Sequence, residues 1–362
     1  MIWIALAFSL AYLCFQALLT IGILRLKSVP TTKQKAPISV VIAAKNEAAN
    51  LWRCLESVRN QEYGDFEVIL VLDRCEDHSL EIAEEFQLTF PQLRIIEVHN
   101  VPEDWSPKKY ALQMGIEAAR YDLLAFTDAD CVLEPQVLAH VNRQSQDGNE
   151  VILGLGWYER RSGWLNRFIQ FETYYVAFQY IGAAALGMAY MGVGRNLAYR
   201  RKAYERVGGM EAIREHLSGD DDLLVNQAAQ AGRVGTMIAP GSRSWSIPKE
   251  SFAGWVRQKN RHVSASHQYS LSSKTLLGAF HGSHIGMYVA TILTCWQIET
   301  SLAGFSLYII RLLLSWWMVR KTGSKLGSPT LGAAFPILDL LFFLYNLSIV
   351  PFGLINQPAW TK

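Results

Sequence analysis

Ile38-Ser-Val-Val-Ile-Ala-Ala44 is followed at once by Lys45-Asn46-Glu47, so an apolar, β-branched run stops at a polar turn. A continuous run of this length reads as a strand buried on both faces. The stretch from Glu47 to Asn60 then places Leu51, Leu55 and Val58 on one helical face. Strand and helix form one unit, and the pattern recurs. Phe66 to Leu72, Arg94 to Val98 and Leu123 to Thr127 read as further strands, with helical patterns near 78–89 and 108–119 between them. Such alternation predicts an α/β domain whose mostly parallel sheet carries helices on both faces.

Outside this region the texture changes. Residues 2–24 hold no charge over a length that crosses a hydrocarbon core, and they lack the basic start and small-residue cleavage site of a signal peptide. Residues 1–25 therefore read as an N-terminal transmembrane helix. Arg25, Lys27, Lys33 and Lys35 follow, a basic cluster that marks the cytoplasmic side. From about Thr275 three apolar blocks return, 276–298, 302–319 and 331–355, so 275–356 reads as about three C-terminal transmembrane helices. The middle block is short and contains Arg311, which predicts a segment at the interface or packed on its neighbours. Arg320, Lys321 and Lys325 precede the last block, whereas the loop near Glu299 has no lysine or arginine. Four spans are expected, forming a multi-pass integral membrane protein with residues 37–268 in the cytoplasm and both termini outside.

Phe168 to Val193 is apolar as well, but it carries Glu172 and Gln179 and interrupts the α/β region. Residues 164–193 read instead as an interfacial segment or part of an acceptor pocket. The 362 residues are 50% hydrophobic, which fits one core plus membrane surface, and a net charge of +2 excludes the basic footprint of a nucleic-acid binder. The five cysteines are scattered and read as reduced packing residues.

The chemistry gathers at strand ends, where open α/β sheets bind ligands. Thr127-Asp128-Ala129-Asp130 closes one strand, and two carboxylates at this spacing can share Mg²⁺ or Mn²⁺ with a diphosphate; an isolated pair can equally be a solvated turn. Asp73 closes another strand, with Asp77 just beyond it, and Asn46 and Glu47 close the first, where Asn46 could also cap the next helix. In Pro107-Lys108-Lys109 a lysine at a helix start can meet phosphate oxygens. Gly219-Asp220-Asp221-Asp222 crowds three carboxylates ahead of a helix, which raises a pKa toward that of a general base; complementing the helix dipole would explain one or two of them. Gln258, Arg261 and His262 share a helical face that could hold a diphosphate, an acceptor or anionic lipid.

In this order, Val40-Val-Ile-Ala-Ala-Lys-Asn-Glu47, Asp73, Pro107-Lys108-Lys109, Asp128-Ala-Asp130, Gly219-Asp-Asp221 and Gln258-x-x-Arg261-His262 resemble family 2 glycosyltransferases over about residues 37–268. The resemblance implies the GT-A nucleotide-sugar-binding fold with a mixed central sheet, as in cellulose, chitin and hyaluronan synthases and ceramide glucosyltransferases. It implies an inverting transfer that needs Mg²⁺ or Mn²⁺ and a nucleotide-sugar donor, a UDP-sugar being the family-level expectation. Asp73 would contact the base or ribose, Lys108 the diphosphate, and Asp128 and Asp130 the donor and metal, Asp130 as direct ligand. Asn46 and Glu47 join the donor end. Asp221 matches the general base, and Asp220, Gln258, Arg261 and His262 fall at the acceptor or diphosphate end. His262 stands where the family's Gln-x-x-Arg-Trp motif has tryptophan. That departure and the few C-terminal spans favour a single transfer to a lipid or lipid-linked acceptor over a processive polysaccharide synthase. A sugar-nucleotide-binding membrane protein without turnover is a third reading, opposed by the intact Asp-x-Asp and Gly-Asp-Asp.

Overall fold

A computed structural model of the protein describes residues 1–27, 29, 34–216, 218–328 and 332–355; Lys33 of the basic cluster and position 356 lie outside them. In chain order the elements are α1 (Ile2–Arg25), β1 (Ile38–Ala44), α2 (Ala48–Arg59), β2 (Phe66–Asp73), α3 (Ser79–Thr89), β3 (Leu93–Val98), α4 (Pro107–Ala118), β4 (Leu123–Asp128), β5 (Cys131–Leu133), α5 (Val137–Gln146), β6 (Val151–Tyr158) and α6 (Trp164–Ala185). They continue with β7 (Leu197–Arg200), α7 (Arg201–Arg206), α8 (Asp222–Ala228), β8 (Val234–Met237), β9 (Arg243–Ser246), α9 (Phe252–Ala265), α10 (Leu271–Trp296), α11 (Ser301–Leu326) and α12 (Phe335–Ile355). The chain divides into two units. One comprises residues 27–159 and 189–248, the other 1–26, 160–188 and 249–362.

The first unit is built on a nine-stranded sheet ordered β3-β2-β1-β4-β7-β6-β9-β5, with β8 beside β6. β3, β2, β1 and β4 run parallel, in register Val68 with Leu93, Ile38 with Phe66 and Ile38 with Leu123. β7 pairs antiparallel with β4 and β6, which makes the sheet mixed. Every residue of β2 and nearly every one of β1 is buried, as largely apolar strands in the middle of a sheet require, and the polar Ser39 and Glu67 within them pair with each other at 2.7 Å. α4 lies directly on β1 and β2. A Cβ on its Gly115 would come within 2.6 Å of Val41, so the close approach depends on the missing side chain. The carboxyl ends of β1, β2 and β4 share one edge, because Ala43 pairs with Asp128 and Ala44 pairs with Leu72.

The second unit is helical. α1, α10, α11 and α12 are long and apolar enough to cross a membrane, and α11 extends beyond the expected 302–319 block to 26 residues. Arg311 faces inward and pairs with buried Asp339 at 2.6 Å, so its charge is removed from lipid. α6 packs against α1 through small residues; a Cβ on Gly22 would sit 3.0 Å from the Gly182 carbonyl oxygen. Glu172 on α6 is buried with Lys259 of α9 at 2.5 Å. Thus α6 and α9 pack within the helical unit, although both fall inside the 37–268 stretch of the chain.

Candidate active site

β1 ends in a turn in which Asn46 adopts φ 56 and its Oδ1 accepts the Glu76 amide at 2.9 Å. The Glu47 amide donates to Ser79 Oγ, and the Ala48 and Ser79 amides donate to the two oxygens of Asp77. Asp77 therefore ties the starts of α2 and α3 together and is a structural acid. Asp73, 3% exposed at the end of β2, accepts from Arg74 Nε at 2.7 Å and Nη2 at 3.3 Å.

Pro107 opens α4 and lets the next two lysines diverge. Lys109 is buried and donates to the carbonyls of Ile213, His216 and Ser218 at 2.8, 2.7 and 2.9 Å. It holds in place the segment that leads into Asp220. Lys109→Met strands those acceptors, and a stability loss of about 1–3 kcal/mol is expected, read as a lower thermal midpoint. Lys108 reaches the other way, bridging Asp128 at 2.9 Å and Asp220 at 2.8 Å. Burial pulls its pKa down, but Asp128, Asp220 and Asp221 together hold it well above the ordinary lysine value.

The acids around this lysine differ in state. Burial opposes ionisation of Asp220, yet Lys108 keeps its carboxyl below the usual range. Asp221 is pushed up, first by burial and then by Asp220. Its Oδ2 accepts the Gly194 amide at 2.6 Å and its Oδ1 the Asp222 amide at 2.8 Å, so the carboxylate is fixed in orientation as the cap of α8. Asp130 is likewise raised, by burial and by Asp128.

Asp128, Asp130 and Cys131 bring ligand atoms within 4.8 Å of one another. Burial and then Asp130 push the Cys131 thiol well up, and Sγ donates to Asp130 Oδ1 at 3.3 Å; it stays a neutral donor. The donor set would therefore suit a hard cation, which the two carboxylates would hold and which would supply positive charge for phosphate oxygens.

Arg195 also enters this cluster, and the sequence reading missed it. Its Nη1 donates to Ser246 Oγ at 2.8 Å, its Nη2 to the Gly156 carbonyl at 3.0 Å, and its guanidinium lies 4.4 Å from the Tyr158 ring centroid. Asp128 and Asp130 feel its charge. A Cβ on Gly156 would come within 2.3 Å of Arg195 Nε, so this glycine makes the room. The readable signal was Gly194-Arg195-Asn196, a turn with a cation directly after an apolar segment.

The site thus brings together Lys108, Asp128, Asp130, Asp220, Asp221 and Arg195, with Asn46, Glu47 and Asp73 on the neighbouring strand ends. Gln258, Arg261 and His262 stand on α9, in the helical unit, where Arg261 and His262 are exposed. A mixed sheet whose acidic edge holds an Asp-x-Asp is the GT-A arrangement. Residues 39–208 match the family described as Glycosyl transferase family 2, and that stretch is a family 2 glycosyltransferase domain.

Among solved structures, the mannosyltransferase PcManGT from Pyrobaculum calidifontis, in complex with GDP-Man and Mn²⁺, is similar over 99% of both chains at 18% identity with a TM-score of 0.63, a likeness of fold. Glycosyltransferase AglE of Haloferax volcanii is 36% identical over 97 residues, 26% of this chain and 30% of that protein. Cholesterol galactosyltransferase of Borreliella burgdorferi is 29% identical over 119 residues, 33% and 32% of the two chains. The matches span about a third of the length of the curated relatives.

Proposed function

We propose that this protein transfers a sugar, with inversion, from a nucleotide-sugar donor to a lipid or lipid-linked acceptor at the cytoplasmic face of a membrane. One observation carries the reading: Lys108 bridges Asp128 and Asp220 at 2.9 and 2.8 Å, which joins the donor end of the sheet to the acids ahead of α8. Lys108 and Arg195 supply positive charge for a diphosphate. Asp221 accepts the proton of the acceptor hydroxyl while the oxygen bonds to the anomeric carbon. The bond from that carbon to the diphosphate breaks, and the departing oxygen keeps its electron pair. Mg²⁺ or Mn²⁺ held by Asp128 and Asp130 would stabilise the leaving charge.

The lipid acceptor is supported by the four apolar helices on the same chain and by a relative named for cholesterol galactosylation. A UDP-sugar is the family-level donor, and a GDP-sugar is the alternative, since a complex with GDP-Man is known for the similar mannosyltransferase. The test is to incubate membranes containing the protein with labelled nucleotide sugars and to weigh the labelled product. One added sugar on an organic-extractable lipid is expected. A polymer ladder would instead support a polysaccharide synthase, and donor binding with no product would overturn both.

A further inference from the structure

α1, α10 and α11 set a direction within the helical unit. α1 and α11 end together, since Lys325 Nζ donates to the carbonyls of Leu24 and Leu26 at 2.6 and 2.7 Å. α10 runs antiparallel to α1: Phe15 meets Phe280, Tyr12 stacks on His284 at 4.6 Å, and Phe8 packs on Gly286. Leu271, where α10 begins, therefore lies at the same end as Leu26 and Leu326. The chain passes from this end of α1 into the sheet unit.

α12 meets the three helices deep inside. Asp339 accepts from Arg311 Nη1 and from the Tyr288 hydroxyl, each at 2.6 Å. At about 1.5 Å per residue, Arg311 lies ~22 Å from Leu326 and Tyr288 ~26 Å from Leu271. A fourth span would carry α12 onward, away from that end. The contacts run the other way. Phe342 packs on His281, Tyr345 on Trp255 at 5.5 Å, and a Cβ on Gly353 would lie 3.1 Å from Asn260 Oδ1. The Leu354 carbonyl reaches His267 Nε2 at 2.7 Å, and His267 precedes the first turn of α10. From Asp339 to Leu354 the helix travels ~22 Å, enough to return through the whole depth.

A separate observation agrees. α9, which flanks the second half of α12, exposes Arg257, Arg261 and His262, and such side chains do not face hydrocarbon. The same pair of helices exposes Phe252, Leu347 and Phe352. Apolar residues beside exposed cations match the headgroup layer of a phospholipid leaflet.

We propose that α12 is a re-entrant element: its first half lies at the depth of the Arg311–Asp339 pair and its second half runs back to the face at which α11 ends, forming with α9 a platform in the lipid headgroup layer. The chain then crosses three times, and the C-terminal end of α12 lies at the end of the helical unit where α1 and α11 finish and α10 begins. This reverses the outward end expected from loop charge and from helix length.

The test uses the full chain in sealed vesicles of both orientations, with protease-cleavable tags in the exposed turn at Gly64, at Ile298 between α10 and α11, and after Lys362. The tags at Gly64 and Lys362 are expected to be cut from one side and the tag at Ile298 from the other. Cleavage of the Lys362 tag together with Ile298, or from both sides, overturns the proposal. A photo-crosslinking residue at Phe252 or Phe352, in nanodiscs containing labelled phosphatidylglycerol, is expected to capture lipid, and one at exposed Leu88 in the sheet unit to capture none. No capture at either platform position overturns the headgroup contact.

Discussion

Asp221→Asn is expected to lower turnover by about 10²–10⁴-fold, the usual worth of general-base assistance, while donor affinity changes by no more than a few-fold. Asparagine keeps the size of the side chain and can still accept one of the two backbone amides, those of Gly194 and Asp222, so α8 stays capped. What it cannot do is take the acceptor's proton. The wild-type pH profile gives a second readout. Burial and Asp220 raise the Asp221 pKa, and only the ionised form is a base, so turnover falls as pH drops through a value above the ordinary carboxylate range. In Asp220→Asn the neighbouring charge is gone, and that acid limb is expected to move to lower pH. Wild-type turnover in purified Asp221→Asn would remove the residue from the base role.

The strand ends were legible because burial dictates their composition. Ile38–Ala44 and Phe66–Leu72 have no polar face to offer, so the polar residues at which they stop, Asn46, Glu47 and Asp73, must lie at an edge. What each side chain does there was not legible. Lys108 and Lys109 are adjacent and chemically identical, yet one bridges Asp128 and Asp220 while the other supports the backbone ahead of Asp220; only the entry angle of α4 separates them. Arg195 was hidden because its partners Gly156 and Ser246 are far along the chain. The glycines that admit Arg195 and Asn196, Gly156 and Gly154, also break the apolar run of β6, which concealed that strand. In α6, Glu172 argued against a span, and α6 is not among the helices long and apolar enough to cross a membrane; what the sequence did not show is that Lys259, on another helix, neutralises it. The path of α12 escaped for a different reason: hydropathy measures length and composition, and neither contains direction.

Removing divalent metal is expected to cost transfer about a thousandfold or more, since neutralising a leaving diphosphate is worth several kcal/mol and each 1.4 kcal/mol is tenfold in rate. The site argues for so steep a loss. Lys108 is shared with Asp128 and Asp220, and Arg195 is tied to Ser246 and the Gly156 carbonyl, so the two cations by themselves neutralise only part of the leaving charge. Excess EDTA should stop product formation, and added Mn²⁺ or Mg²⁺ should restore it. The residues can be separated by a signal that does not depend on turnover, the spin resonance of bound Mn²⁺. Asp130→Ala should abolish the bound signal and weaken donor binding, because it deletes one of the two carboxylates that would share the ion with the diphosphate. Cys131→Ser should leave it in place, because a thiol held neutral by burial is a hydrogen-bond donor to Asp130 and a hydroxyl donates equally well. Full transfer in EDTA, or an unchanged Mn²⁺ signal in Asp130→Ala, would take the metal role away from Asp130 and shift the leaving charge onto Lys108 and Arg195.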